Sequence, residues 1–225
     1  MILVLGDVHG QFSHMKEIIS QVNKDWPLLA VVQVGDFGVF KECLPQTPRI
    51  KTPIYFIEGN HEDFSLLNWL RKKNPIGIAP IKKNIFHIPR GATFQLGDRK
   101  WVGLGGSEFF SPPNCPRGST FTDEEIQGAL VHGETDILIT HDAPIGLGIP
   151  GHPAFGGGID VGTKRLLPLY GLKPKLWLFG HHHQRVEKEE KGVKHFGLDC
   201  ADVGYALLNP RTLQIAWRGY SSPQL

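Results

Sequence analysis

The stretch Ile2-Leu3-Val4-Leu5-Gly6-Asp7-Val8-His9-Gly10 sets how the rest of the chain is read. A short run of branched and long apolar residues reads as a strand buried on both faces, and it stops at a glycine followed by residues that ligate cations. Downstream, Met15, Ile18, Ile19 and Val22 recur at helical spacing, with Ser13 expected to cap that helix. The next apolar run, Ala30 to Val34, completes a β-α-β opening, and similar runs follow at Ile54 to Ile57, Ile137 to Ile139 and Leu176 to Phe179. Phe64, Leu67 and Leu70 predict a helix over Asp63 to Lys73. Thr122 to Glu125 forms a capping box before a helix through Ile126 to Val131. Turn chemistry at Leu96-Gly97-Asp98-Arg99 and Glu190-Lys191-Gly192-Val193 predicts antiparallel hairpins within 86–105 and 185–217. One domain over residues 1–225, containing two sheets, accounts for this order of elements most simply.

Composition narrows the function classes. The 225 residues are 40% hydrophobic and 20% charged, the profile of an ordinary folded domain. Lys plus Arg exceeds Asp plus Glu by 24 − 22 = 2, so net charge gives no strong nucleic-acid signal and no pull toward an acidic membrane. The N-terminus reads as a first strand, not a signal peptide, and no run approaches the roughly 18 apolar residues of a membrane span. Cys43, Cys115 and Cys200 are scattered and odd in number, which argues against a disulfide scaffold and for a reducing, cytoplasmic setting.

The chemistry concentrates where the buried strands end. The first is followed by Gly6-Asp7-Val8-His9, the second by Gly35-Asp36, the third by Gly59-Asn60-His61-Glu62, the fourth by His141-Asp142 and the fifth by Gly180-His181-His182-His183. In an open α/β sheet the carboxyl ends of the strands share one crevice, so these segments are expected to converge. The set Asp7, His9, Asp36, Asn60, His141, His181 and His183 is rich in imidazole and carboxylate, with one amide and no thiolate. That donor chemistry suits Mn, Fe, Zn or Ni better than Ca or an iron–sulfur cluster. Seven candidate ligands exceed the needs of one ion. Two divalent or trivalent transition-metal ions about 3.5 to 4 Å apart, bridged by a carboxylate, would use them all.

In this order, Gly-Asp-Val-His-Gly, Gly-Asp, Gly-Asn-His-Glu, Thr-His and Gly-His-His-His resemble the calcineurin-like metallophosphoesterase family, over residues 6 to 183. The resemblance implies a four-layer α/β/β/α sandwich of two mixed sheets flanked by helices, with the metals at the strand ends. It assigns Asp7, His9 and His183 to one metal, Asn60, His141 and His181 to the other, and Asp36 to the bridge between them. A water activated by the ions would attack a small phosphate-ester substrate, and His61 would protonate the leaving oxygen or help hold the phosphate.

Gly-Asp-Val-His-Gly-Gln and Gly-Asn-His-Glu are also similar to the serine/threonine protein phosphatase branch of that family. That branch, however, has Asp-Arg-Gly or Asn-Arg-Gly after the second block and Arg before Gly-Asn-His. Here the corresponding residues are Phe37-Gly38-Val39-Phe40 and Glu58, and Val39 stands where an imidazole-orienting Asp is expected. The resulting expectation is a hydrolase of small phosphomonoesters or phosphodiesters, nucleotides included. A protein phosphatase and a non-catalytic scaffold of the same fold are the alternatives. In the long loop Ser107 to Thr120, Arg117 is the most attractive candidate for a phosphate contact, although a solvated arginine is the plainer reading. His152 is a candidate to line the pocket, whereas His14, His87, His132 and His195 read as surface or core residues. Gly156-Gly157-Gly158 lacks the ending of a P-loop and reads as a loop before a helix near Ile159.

Overall fold

The computed structural model describes residues 1–72, 74, 77–108, 117–151 and 157–220. In its first half the chain runs β1 (Ile2–Leu5), α1 (Phe12–Asp25), β2 (Ala30–Gln33), β3 (Ile54–Phe56), α2 (Phe64–Arg71), β4 (Ala79–Lys82), β5 (Ile85–His87) and β6 (Ala92–Leu96). It continues through β7 (Arg99–Leu104), α3 (Asp123–Leu130), β8 (Ile137–Thr140), a 3₁₀ helix (Lys164–Leu172) and β9 (Leu176–Phe179). It closes with β10 (Val186–Glu190), β11 (Val193–Gly197), β12 (Gly204–Leu208) and β13 (Ile215–Gly219).

The strands form two mixed sheets. One has seven strands in the order β13-β12-β1-β2-β3-β5-β4, the other six in the order β10-β11-β9-β8-β7-β6. Within the first, β1, β2, β3 and β5 are parallel; within the second, β7, β8, β9 and β11 are parallel. Period-2 alternation sorts their side chains into layers. Ile2, Val4 and Val32 from one sheet meet Ile137, Ile139, Leu176 and Leu178 from the other in a shared core. Leu3, Leu5 and Val31 point the opposite way, onto Met15, Ile18 and Val22 of α1 and Leu67 of α2. On the outer face of the second sheet, Val102, Leu138 and Trp177 pack against Ile126 and Ala129 of α3 and Leu166 and Leu169 of the 3₁₀ helix. The result is the expected α/β/β/α sandwich.

Local signals held to different degrees. The Thr122–Glu125 capping box forms, with Thr122 Oγ1 accepting from Glu125 N at 3.2 Å and Glu125 Oε2 accepting from Thr122 N at 2.8 Å. Both hairpin turns form where their residues indicate, with Leu96 opposite Arg99 and Glu190 opposite Val193. Asp63 caps α2, accepting from Leu66 N at 2.9 Å, and the helix ends at Arg71; Lys73 lies outside the described residues.

Two expectations are corrected. Ser13 does not cap α1, which starts at Phe12 behind Gln11 with no side-chain cap. The preceding turn is held by tertiary bonds instead, since Val8 and His9 N–H donate to Asp36 O and Gly10 N–H to Phe37 O. Nor does a helix begin near Ile159. There Asp160 accepts from Gly146 N at 2.7 Å and Gly148 N at 3.0 Å, tying the segment to a neighbouring loop, and the 3₁₀ helix waits until Lys164. Among the described residues, no helix is long and apolar enough to cross a membrane.

Candidate metal centre

All seven sequence-predicted ligands meet at one edge of the sandwich, where the parallel strands of both sheets end. Asp7 follows β1, Asp36 follows β2 and Asn60 follows β3, while His141 follows β8, and His181 and His183 follow β9.

They fall into two groups. In the first, His183 Nε2 stands 2.9 Å from Asp7 Oδ2 and 3.4 Å from His9 Nε2, and His9 Nε2 is 3.8 Å from Asp7 Oδ2. Ligands about 2.1 Å from a shared ion stand roughly 3.0 to 3.4 Å apart, so this triangle fits one ion with little adjustment. In the second, His141 Nε2 lies 3.0 Å from Asn60 Oδ1 and 3.6 Å from Asp36 Oδ1. Its Nδ1 is 2.9 Å from the Val34 carbonyl, which can only accept, so Nδ1 carries the proton. Nε2 is then the ring nitrogen turned toward the two oxygens, a position filled by a proton on the free ring or by a cation in its place. The His181 ring sits 4.9 Å from that of His141, centroid to centroid. Asp36 touches both groups, with its other oxygen 3.9 Å from His9 Nδ1.

The glycines of the motifs make this convergence possible. A Cβ on Gly59 would fall 1.9 Å from Asp36 Oδ1, one on Gly35 2.1 Å from His141 Nδ1, and one on Gly180 2.5 Å from Asp7 Oδ1. Each motif therefore lacks a side chain where a ligand from another motif passes. The backbone is also forced: His9, Asp36, His181 and His183 have φ of +48°, +54°, +66° and +49°. Left-handed conformations at non-glycine residues cost on the order of 1 to 3 kcal/mol each and concentrate at functional sites.

Supporting bonds hold the strained loop. Glu62 is buried and accepts from Phe37 N at 2.7 Å, from Gly38 N at 3.2 Å and from Val39 N, gripping the turn that carries Asp36. Burial, reinforced by Asp36, pushes the Glu62 carboxyl up to about 8, against the pull of those amides. Asp142 Oδ1 is 3.1 Å from His182 Nε2, so the middle histidine of its motif serves the scaffold.

The carboxylates and imidazoles of the cluster shift one another strongly. Burial alone would raise Asp36, but the facing His141 and the His61 amide, which donates to Oδ1 at 2.8 Å, hold its carboxyl well below the usual carboxylate range. Against the effect of burial, Asp36 and then Asp7 push His141 up to about 9. The bond with Asp7, then the Cys200 thiol, pushes His183 up to about 11, whereas burial drives His181 down to about 4. His61 is exposed at the mouth, its ring centroid 6.0 Å from that of His9.

Other candidates separate from this centre. His87 is buried against Glu58 and His195 against Tyr170, while half-buried His132 faces the Gly91 carbonyl. Arg117 is exposed; His152, Cys115 and Gly156 lie outside the described residues, as do 109–116 of the long loop. A cavity of about 610 Å³ opens elsewhere, against Glu58, Arg71, Arg90 and Glu125. A further residue that the strand-end pattern did not single out, Cys200, lies beside the first group. It follows β11, a further parallel strand of the kind that ends at the centre, and offers Sγ within 4.8 Å of ring nitrogens of His9 and His183. The sequence signal for its position is the apolar run that ends at Leu198-Asp199-Cys200.

Comparison with known proteins agrees with this fold. The lariat debranching enzyme of Entamoeba histolytica is 22% identical over 255 aligned positions, covering 91% of this chain and 69% of that protein. The fold is similar to that of the protein TT1561 of Thermus thermophilus, with a TM-score of 0.64 at 13% identity over 97% of each chain. It is similar also to a novel archaeal phosphodiesterase, with a TM-score of 0.53 at 14% identity over 97% of this chain and 99% of that one. Residues 1–185 match the calcineurin-like phosphoesterase family, a span that contains every strand end carrying the seven predicted ligands. The chain therefore belongs to that family and is a metal-dependent phosphoric ester hydrolase.

Proposed function

We propose that residues 1–225 act as one metallophosphoesterase domain that hydrolyses small phosphomonoesters or phosphodiesters, nucleotides included, at a two-metal centre. Asp7, His9 and His183 hold one ion, Asn60, His141 and His181 hold the other, and Asp36 lies between them. The ions are Mn, Fe, Zn or Ni, in keeping with a set dominated by imidazole and carboxylate. The observation that carries this reading is the pair of ligand groups, with contacts of 2.9 to 3.9 Å, that share Asp36 as their common neighbour.

When bound, such ions neutralise the charge developing on phosphate oxygens and lower the pKa of water toward neutrality. The chain's own groups do the rest. His61, exposed beside His9 and tied through its backbone N–H to Asp36, delivers a proton to the departing ester oxygen. Glu62 fixes the Asp36 turn, and the Asp142–His182 pair fixes the segment that carries His181 and His183. No arginine clamp stands in the Phe37–Val39 turn, whose amides are all taken by Glu62, and Arg90 is turned toward Glu58 and Glu125. That arrangement favours small, loosely clamped esters over phosphoproteins.

The test is metal content together with turnover, on the full chain loaded separately with Mn, Fe, Co, Ni and Zn. Two equivalents of metal and hydrolysis of p-nitrophenyl phosphate or bis-p-nitrophenyl phosphate are expected, the ratio of the two substrates sorting monoesterase from diesterase. A well-folded sample that takes up no metal, or is inert with every metal, overturns the reading. Phosphopeptide release far above nucleotide hydrolysis would return the protein phosphatase.

A further inference from the structure

We propose that Cys200 supplies a thiolate ligand to the metal position formed by Asp7, His9 and His183, an inference that rests on the two-metal reading above. The thiol lies in the C-terminal portion, outside residues 1–185, the span matched to the family. It is delivered by the fold in the same way as the other ligands. β11 runs parallel to β9, so its carboxyl end reaches the same edge of the sandwich.

The connection beyond β11 is pinned to the first motif. Leu198 N–H donates to Phe179 O, and Ala201 N–H donates to Asp7 O, both at 2.9 Å. The Asp199 carbonyl passes so near Gly6 that a Cβ there would lie 2.1 Å from it. Cys200 is thereby set between two residues whose backbones are fixed against the Asp7 segment, and its Sγ reaches within 4.8 Å of His9 and His183 ring nitrogens. In a tetrahedral zinc site a sulfur and an imidazole nitrogen stand about 3.6 Å apart, so a shift of about 1 Å, on the scale of a rotation of the thiol about its Cα–Cβ bond, brings the three into one coordination sphere.

The exchange balances simply: a metal–sulfur bond forms, the S–H bond breaks, and the proton passes to solvent. A soft sulfur donor alongside two imidazoles and a carboxylate favours Zn(II) or Fe(II) over Mn(II) at this position, and leaves the Asp36/Asn60/His141/His181 position without sulfur. The two ions are then chemically different.

Cobalt(II) is the probe, because thiolate coordination to it produces a near-ultraviolet charge-transfer band that imidazole and carboxylate do not. The cobalt-loaded chain is expected to show that band, Cys200→Ser to lose it and Cys43→Ser to keep it. Competition for Zn(II) with a chelating dye is expected to show one of the two sites weakened in Cys200→Ser by at least the roughly 10- to 100-fold that loss of an outer-shell partner costs. Alkylation mapped by mass spectrometry should be slowed by zinc at Cys200. Metal uptake and ester hydrolysis with no thiolate band, or a band that persists in Cys200→Ser, overturns the sulfur ligand and spares the two-metal reading. Failure to take up metal at all overturns both.

Discussion

The two halves of the centre differ in how the protein holds them. Around Asp36 and His141 the side chains are 1% and 0% exposed, and each is bonded to backbone from a different motif. Around His9 and His183 the exposures are 32% and 49%, and the rings lean on one another and on Asp7. The buried half is organised before any ligand arrives, since packing has already fixed its rotamers. The exposed half keeps conformational freedom that binding must remove, and it faces the solvent from which an ester approaches. One half is fixed by burial, the other is open to solvent.

The sharpest way to break this contrast is Asp36→Asn, because Asp36 reaches into both halves. Both positions should empty, and turnover should fall about a thousandfold or more, the several kcal/mol that metal ions contribute to phosphoryl chemistry. Two retained equivalents of metal would show that Asp36 is not shared.

Next in size is the acid stability of the buried half's foundation. Glu58 leads directly into Gly59-Asn60, with its carboxylate 2.6 Å from His87 Nε2 and 2.8 Å from Arg90 Nε. Burial would raise its pKa, but His87 and then Arg90 outweigh that and bring it from 4.5 to about 2. The folded value is the lower one, so the stabilisation is present above about pH 4.5 and drains away as pH falls toward 2. It amounts to roughly 3 kcal/mol. Denaturant titrations of Glu58→Gln should show that loss at pH 7 and a flatter profile between pH 5 and 2; an unchanged slope would assign the acid transition to other carboxylates.

On the exposed side, His61→Gln should slow turnover about a hundredfold while metal content stays at the wild-type level, as befits a proton donor that is not a ligand. Equal loss of metal and rate would place His61 in the coordination sphere. The smallest effects separate glycines by location. Gly59→Ala drives a methyl group into Asp36 and should cost about 1 to 3 kcal/mol. Gly128→Ala, on the exposed face of α3 with nothing within 4 Å of the added carbon, should stabilise by up to about 1 kcal/mol. Thermal melts of the two variants moving in the same direction would remove the distinction.

What the sequence disclosed depended on whether a signal was local. Strand runs ending in Gly-Asp, Gly-Asn-His and Gly-His-His-His carry their own register, and parallel pairing then brings their ends together, so the convergence of Asp7, His9, Asp36, Asn60, His141, His181 and His183 at one edge was legible. The Thr122 cap and the two hairpin turns are equally self-contained. Ser13 failed as a cap because the turn before α1 is satisfied by carbonyls some 27 residues away, which no local rule sees. The onset of the 3₁₀ helix was displaced for the same reason, by Asp160 reaching back to Gly146 and Gly148. Cys200 went unrecognised because β11 belongs to a hairpin by sequence, and only its second pairing, parallel to β9, carries its far end to the centre.

Because Asp7, Asp36 and Asn60 descend from one sheet while His141, His181 and His183 descend from the other, the centre spans the seam of the sandwich. A cation seated there is a rivet between the two leaves at the rim where carboxylates and glycine-rich turns offer little apolar adhesion. Stripping it with a chelator should therefore loosen that rim first, and amide protons of residues 6–10 and 35–39 should exchange with deuterium ahead of those in the opposite rim, near the 96–99 turn.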